Sequence, residues 1–507
     1  MKIFCTASSD AYITDKIVNQ EIRVDDANTG RAGTLDLFKL YDETLLNGTG
    51  SQNEVSRLLL KFDLSNARSL LNSKLDVRSE NFKAVLKLFD IQSGHSSPSN
   101  FSVIAHPLSK SFDEGIGRDI SEFADLGVVN FLTASIVNGA ANVWHISGAN
   151  SVGALNSELI DIISHGTVGE EDFTYFGTQK FFEGNEDLAI DVTKAISGTL
   201  TNNIPDLGFR IAFSGSDETD KKTRFVKRFA TRHSANPHIR PRIEISFDDS
   251  QRDDRNNFYF DTTGSLFLRN FKKSRPSNLI AGGAQVQGSD TLTVKLVKGS
   301  FEKTFTGMQL TEGSNDAGMV GVYTASFAIS SEEAGEYAPG RKLSSLIASD
   351  KEVTFDEYWS YGAKGFYTGS LTIKSDDTSV SFVDDDVEVF ATNIKTKYSR
   401  ENEERITLFA VDHSKRYEKP KKKSIKKKSE IFDEVYYRVL DADSLQPIIE
   451  FGEDDNSTRV STDSEGMFFS FHFSILPPGR SYVFEFLVKN SGMRKVIRDQ
   501  RSRFTVK

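Results

Sequence analysis

Few residues in this chain stand at spacings that could do chemistry. His233 and His238 lie five apart in KRFATRHSANPHIRPRIEISFDD (227–249), and paired imidazoles often begin a metal site. No third ligand stands at an established metal spacing, so a loop is expected there. Cys5 is the only cysteine and has no evident histidine partner, which reads as an idle or buried thiol. Acidic clusters occur at SDETD (216–220), VDDDVEV (383–389) and FGEDDNSTR (451–459). Calcium takes about six to eight oxygens, but none of the clusters has the spaced D-x-D-x-D-G pattern, so solvated turns are expected. Paired carboxylates could also serve a glycosidase, yet no aromatic cleft set accompanies them. Trp144 and Trp359, with Tyr358 and Tyr361, could form a sugar platform, although core packing is the commoner use of such rings. No nucleophile elbow, P-loop, HExxH or CxxC pair is present. No catalytic residue, cofactor or metal ligand is therefore assigned.

The strongest charge block is KPKKKSIKKK (419–428), which crowds Lys419, Lys421, Lys422, Lys423, Lys426, Lys427 and Lys428 together. Like charges at that density repel, so the run is expected to be a linker or an arm that docks on an anionic partner. Apart from Tyr417 it lacks the aromatics on which single-stranded bases stack. The whole chain carries −10, and phosphate binding needs a basic surface, so nucleic acid is not an expected partner.

The elements that must position these residues are strands. Period-two alternation marks 57–64, 82–91, 207–215, 241–249, 290–299, 322–330, 369–375, 386–394, 434–442, 466–475 and 482–490. They are short, rich in Phe, Val, Ile and Tyr, and bounded by turn residues, as in β-sandwiches. Helical patterning is confined to 65–76, 120–127 and 191–200. Two polar breaks, SFDDSQRDDRNN (246–257) and SKRYEKPKKKSIKKKSE (414–430), divide the chain into domains at 1–250, 255–400 and 401–507, with 414–430 a basic loop or linker in the third. The start, MKIFCTASSDAYITD, has no signal-peptide core, and no apolar stretch approaches the ~20 residues of a membrane helix. Synthesis in a reducing cytoplasm without disulfides is expected, with no membrane partner.

The order of elements in the first half carries a resemblance. SRLLLKFDLS (56–65), FKAVLKLFDI (82–91), FSVIAHPLSKSFDEGIG (101–117), LAIDVTKAISGTL (188–200), DLGFRIAF (206–213) and FATRHSANPHIRPRIEISF (229–247) follow one another as in the DNRLRE-type jelly-roll domain. That resemblance implies a β-sandwich related to some carbohydrate-binding modules. Ser111-Phe112 replaces the family's Trp and Arg232-His233 its Arg-Glu, so no sugar-binding role is carried over. PRIEISF (241–247) then reads as the closing strand, with Ile243, Ile245 and Phe247 on one face.

Residues 255–507 resemble two immunoglobulin-like sandwiches, through VGVYTASFAIS (320–330) and GRSYVFEFLVKN (479–490). The segments 391–417 and 436–486 are similar to modules of tailed-bacteriophage neck, collar and tail-associated proteins. The fold expected is all-β: a jelly roll followed by two immunoglobulin-like sandwiches. The function implied is a non-enzymatic structural component of a tailed-phage virion at the neck, collar or tail. Its partners would be other virion proteins, whether neck, portal-proximal or tail subunits, and further copies of itself in a ring. The alternative is a carbohydrate-binding adhesin or receptor-binding fibre module.

Overall fold

The computed structural model describes residues 1–507 except 20, 44–51, 72, 92–97, 169–170, 257, 274, 334, 376–385, 414–428, 465 and 491–492. Strand takes up 50% of the chain and helix 8%, so the protein is all-β and its domains are β-sandwiches. Contacts gather it into two units. One joins Ile3–Ser69 to Phe82–Ser246, and the other joins Met1–Lys2 and Leu70–Asn81 to Phe247–Lys507.

In the first unit, backbone pairing runs in the order Gly177–Phe181, Phe101–Pro107, Phe209–Phe213, Asn53–Phe62, Lys2–Thr14, Arg242–Ser246, Lys83–Leu88, Leu188–Asp191. Lys2–Thr14 can serve both halves of this path because a bulge between Ala7 and Ser9 bends it. A second route leaves Asn53–Phe62 through Thr34–Tyr41 to Arg224–Ala230, and the bridge Asp90–Phe229 returns it beside Lys83–Leu88. The strands thus close around an interior in which Leu58, Leu60, Leu86, Ile211 and Ile243 are fully buried. Arg242–Ser246 is the expected closing strand, with Ile243 and Ile245 inward.

Alternation should leave the other face of Asn53–Phe62 wet, yet seven consecutive residues there, Glu54–Leu60, are buried. A long excursion between Phe101–Pro107 and Gly177–Phe181 covers that face, setting Phe112, Phe131 and Trp144 against Ala11, Val55 and Leu59. Of the three helical expectations, 65–76 shortens to Ser65–Leu70 and 191–200 becomes Thr193–Leu200, with Ala195, Ile196 and Leu200 buried. Residues 120–127 form no helix. The Asp119 carboxylate takes the Ser121 and Glu122 amides and Asp125 takes that of Gly127, which diverts the backbone into turns.

The second unit corrects the expected domain limits. Residues 70–81 leave the 1–250 domain for this unit, where the Ser314 amide donates to Leu71 and Leu75 carbonyls and Arg78 pairs with Asp316. A seven-stranded sheet fills Phe258 to Lys374, bounded by Phe258–Tyr259 at one edge, where it pairs parallel with Lys364–Lys374, and by Thr263–Arg269 at the other, the remaining pairs being antiparallel. The two edges are consecutive in sequence. Phe260 N–H donates to Lys374 O and Asp261 N–H to Ile329 O, so the sheet is folded over on a core of Tyr323, Phe355 and Trp359. In the last domain, a sheet of Val387–Ala391, Glu403–Asp412, Met467–His472 and Ser461–Thr462 accompanies a second sheet centred on Ser481–Asn490 and Glu434–Asp441. Val387–Ala391 pairs with Glu403–Asp412. It therefore belongs to the last domain, and a limit at 400 cuts through a sheet.

The boundary between the two units falls at the start of the charged break 246–257, as expected, but much of that break is buried. Gln251, Asp253 and Arg255 are buried, and the Gln251 and Asp253 amides donate to the Ser461 and Thr462 hydroxyls. Arg255 pairs with Asp253 and with Glu357, whose carboxylate also receives the Trp359 indole N–H. The polar break thus carries a buried polar cluster, in which Asp253, Arg255 and Glu357 offset one another's charge.

Candidate functional site

Arg232 and His233, the pair that the resemblance marks as a departure, meet Asp10 and Glu114 at one place in the first unit. The bulge in Lys2–Thr14 precedes Asp10, which lies buried in the strand. EGIG (114–117) follows Phe101–Pro107 and brings up Glu114, while Arg232 and His233 stand in the loop before the closing strand. Glu114 accepts the Asp10 amide at 2.9 Å and grips the Arg232 guanidinium through Nε at 2.6 Å and Nη2 at 2.5 Å. The Arg232 amide donates to Asp10 Oδ2 at 2.6 Å. His233 Nε2 stands 3.8 Å from Glu114 Oε1.

Asn28 holds the backbone of this cluster. Its side-chain NH2 donates to the Glu114 and Val129 carbonyls at 2.8 Å, and its oxygen receives the Gly117 amide at 2.7 Å. The approach is close enough that a side chain at Gly30 would strike the Glu114 carbonyl at 1.9 Å. Gly115 has φ +76°, open to glycine at little cost.

Burial raises the Asp10 carboxyl to about 7; the Glu114 charge adds to this and the Arg232 amide opposes it. Asp10, Glu114 and His233 could each offer one ligand atom, with all three atoms within 4.8 Å of one another. The set suits a guanidinium better than a metal ion. Arg232 already occupies both Glu114 oxygens, and a divalent cation there would face that fixed positive charge. The chemistry available is a proton-holding carboxyl and a charge-assisted lock joining three segments distant in sequence.

The other candidates scatter. His238 sits in the turn Pro237–Ile239, where Asn236 receives its amide, and is not part of the Asp10–Glu114–His233 group. Cys5 is buried, and its thiol is pushed up to about 12, chiefly by burial. The acids of 216–220 bind cationic side chains of the protein itself: Asp217 and Asp220 hold Arg224 at 2.7 Å each, and Glu218 holds Arg57 at 2.8 Å. Glu453 is likewise held by Lys489 at 2.5 Å and Arg494 at 2.8 Å. Residues 383–385 of the third cluster lie outside the described residues, as do Lys419, Lys421, Lys422, Lys423, Lys426, Lys427 and Lys428. The sugar platform is not assembled. Trp144 is 4% exposed in one unit and Trp359 0% exposed in the other, each with its indole N–H bonded internally.

Asp10 and Glu114 were not singled out in the sequence. The usable signal was a carboxylate inside an alternating strand (SSDAYIT) and an Glu-Gly step in the family-like segment 101–117.

No family model matches the chain and no curated protein matches it. Solved structures similar to it include a two fibronectin type-III domain segment from chicken tenascin, 10% identical, covering 47% of this chain and 99% of that one at a TM-score of 0.13. Another is the N-terminal Ig1-2 module of the Drosophila receptor protein tyrosine phosphatase DLAR, 9% identical, covering 51% and 95% at 0.14. At these scores the likeness carries no functional argument, and the fold assignment rests on the strands described above.

Proposed function

We propose that this chain is a non-enzymatic structural component of a tailed-phage virion, placed at the neck, collar or tail and acting through protein–protein interfaces. The observation that carries the non-enzymatic part is the fate of the reactive side chains. Asp10, Glu114 and Arg232 lock segments together, the 216–220 acids are spent on Lys39, Arg57 and Arg224, and Cys5 is buried. Groups consumed in this way hold strands in place, and none of those named here sets a nucleophile beside a base. The virion part rests on the resemblance of 391–417 and 436–486 to neck and tail modules. Such subunits repeat around a symmetry axis, which favours further copies of this chain and other virion subunits as partners. Burial of Trp144 and Trp359 removes the feature on which a sugar-binding reading stood.

A conditional nonsense mutation in the gene tests the proposal. Under restrictive conditions, particles lacking a complete neck or tail are expected. Complete, infectious particles without this chain would contradict it.

A further inference from the structure

From Leu126 to Ser157 the sequence contains no Asp, Glu, Lys or Arg, although 26% of the chain is charged. Much of this stretch is on the surface. Thr133–Val137 and Ala140–Val143 form a two-stranded hairpin, and every residue from Ile136 to Ala141 is exposed. Ile136 is 44% exposed, Val137 50% and Val143 53%, and Leu126, Ile146 and Val152 nearby in sequence are more than half exposed too. Single exposed apolar residues are ordinary, but an uncharged hairpin carrying several of them marks an interaction surface.

The base of this hairpin is fixed. Trp144 packs into the covering layer beneath it and donates its indole N–H to Asn130 O at 3.0 Å. The buried Asp161 carboxylate takes the His145, Ile146 and Ser151 amides, and Arg57 binds the Gly148 carbonyl at 2.7 Å. Asn138 (φ 53°) and Gly139 (φ 80°) make the turn that joins two strands most tightly. A two-stranded ribbon alone is marginal in water, and among the described residues no third strand joins this one. The protein thus holds an apolar ribbon on a rigid support, its base tied by the Asp113 N–H to Ala134 O and by Lys110 Nζ to Val143 O at 2.7 Å, and its tip from Ile136 to Ala141 left exposed.

We infer that the hairpin 133–143 is a docking edge for a second copy of this chain, the two ribbons pairing edge to edge about a twofold axis. Charge selects this occupant. Copies of a chain of net −10 repel one another over an ordinary surface, and the uncharged ribbon is where that repulsion is least. An oppositely charged partner would instead call for acidic residues along the contact, which this stretch lacks. Two identical antiparallel edges are self-complementary under twofold symmetry, as an isologous contact requires. The inference deepens the proposed function, since it assigns a surface to self-association, and it rests on that reading only for its place in a particle.

Light scattering coupled to size exclusion tests it on the full chain. The wild type is expected at twice 56.5 kDa, with the dimer persisting in high salt, as an apolar contact should. Val137→Glu with Val143→Glu should weaken association by about 10- to 100-fold per buried valine and return the monomer mass. Both positions are exposed, so an unchanged circular dichroism spectrum and melting temperature will show that the variant folds. A monomeric wild type at ~50 μM, far above the dissociation constant of a specific interface, would overturn the inference, as would a variant that stays dimeric. A monomeric wild type whose hairpin variant is lost from particles would assign the surface to a different subunit, overturning the second-copy assignment while leaving the virion role intact.

Discussion

The Arg255 guanidinium clasps the Glu357 carboxylate through Nε and Nη2, each at 2.7 Å, although the two side chains are only 5% and 0% exposed and lie 102 residues apart. Asp253 takes a third guanidinium nitrogen at 2.7 Å. A pair so buried offsets its desolvation only while complete. Arg255→Ala strands Glu357 and Asp253 without their cation and should cost about 3–5 kcal/mol in urea unfolding, whereas Arg255→Met with Glu357→Leu should recover part of that loss, Asp253 still lacking its cation. Equal losses in the single and double variants would mean the network does not hold this segment.

Asp10 makes stability depend on pH in an unusual direction for a carboxylate. Its folded value, near 7, lies above the ordinary value of 3.8. The folded chain therefore keeps this proton while the unfolded chain gives it up. Below about pH 4 the group contributes in full, and its contribution declines as pH rises to about 7. Asp10→Asn keeps an acceptor for the Arg232 amide without the ionisation. The wild type minus variant difference in unfolding free energy should fall by an amount on the order of 2–4 kcal/mol between pH 4 and 7.5. A difference that is flat with pH would show that Asp10 does not hold a proton there.

Three reporters should agree on burial. Both tryptophans are enclosed, so native emission should be blue-shifted and poorly quenched by acrylamide, and Cys5 should ignore a thiol reagent until the chain unfolds. Strong quenching in the folded protein would restore Trp144 or Trp359 as a surface ring.

For the lysine run, the expected outcome is that exchanging Lys419, Lys421, Lys422, Lys423, Lys426, Lys427 and Lys428 for serine lowers incorporation into particles and flattens its dependence on salt. Unchanged incorporation and salt response would make the segment a linker without a partner.

Strand positions were legible where burial of one face imposes a period of two, as in Arg242–Ser246 and Leu292–Lys298, while Asn53–Phe62 and Glu434–Asp441 fall close to the expected strands but are buried on both faces. What failed to show was pairing across the sequence. Asp253 and Arg255 read only as part of a polar break because nothing local reveals Glu357. The same blindness hid the cluster at Asp10, whose partners Glu114 and Arg232 lie 104 and 222 residues away. The 120–127 segment has helical composition, yet Asp119 and Asp125 bond to nearby amides and win locally. Tryptophans cannot be sorted into platform or core by sequence, since both uses want the same ring.

The proposed virion role is the central claim, and quantitative mass spectrometry of purified particles tests it most directly. The account predicts peptides from all of its domains at a fixed, small copy number per particle, constant across preparations and retained after a high-salt wash. Absence of the chain from purified particles, with the protein found only in the lysate, would contradict it.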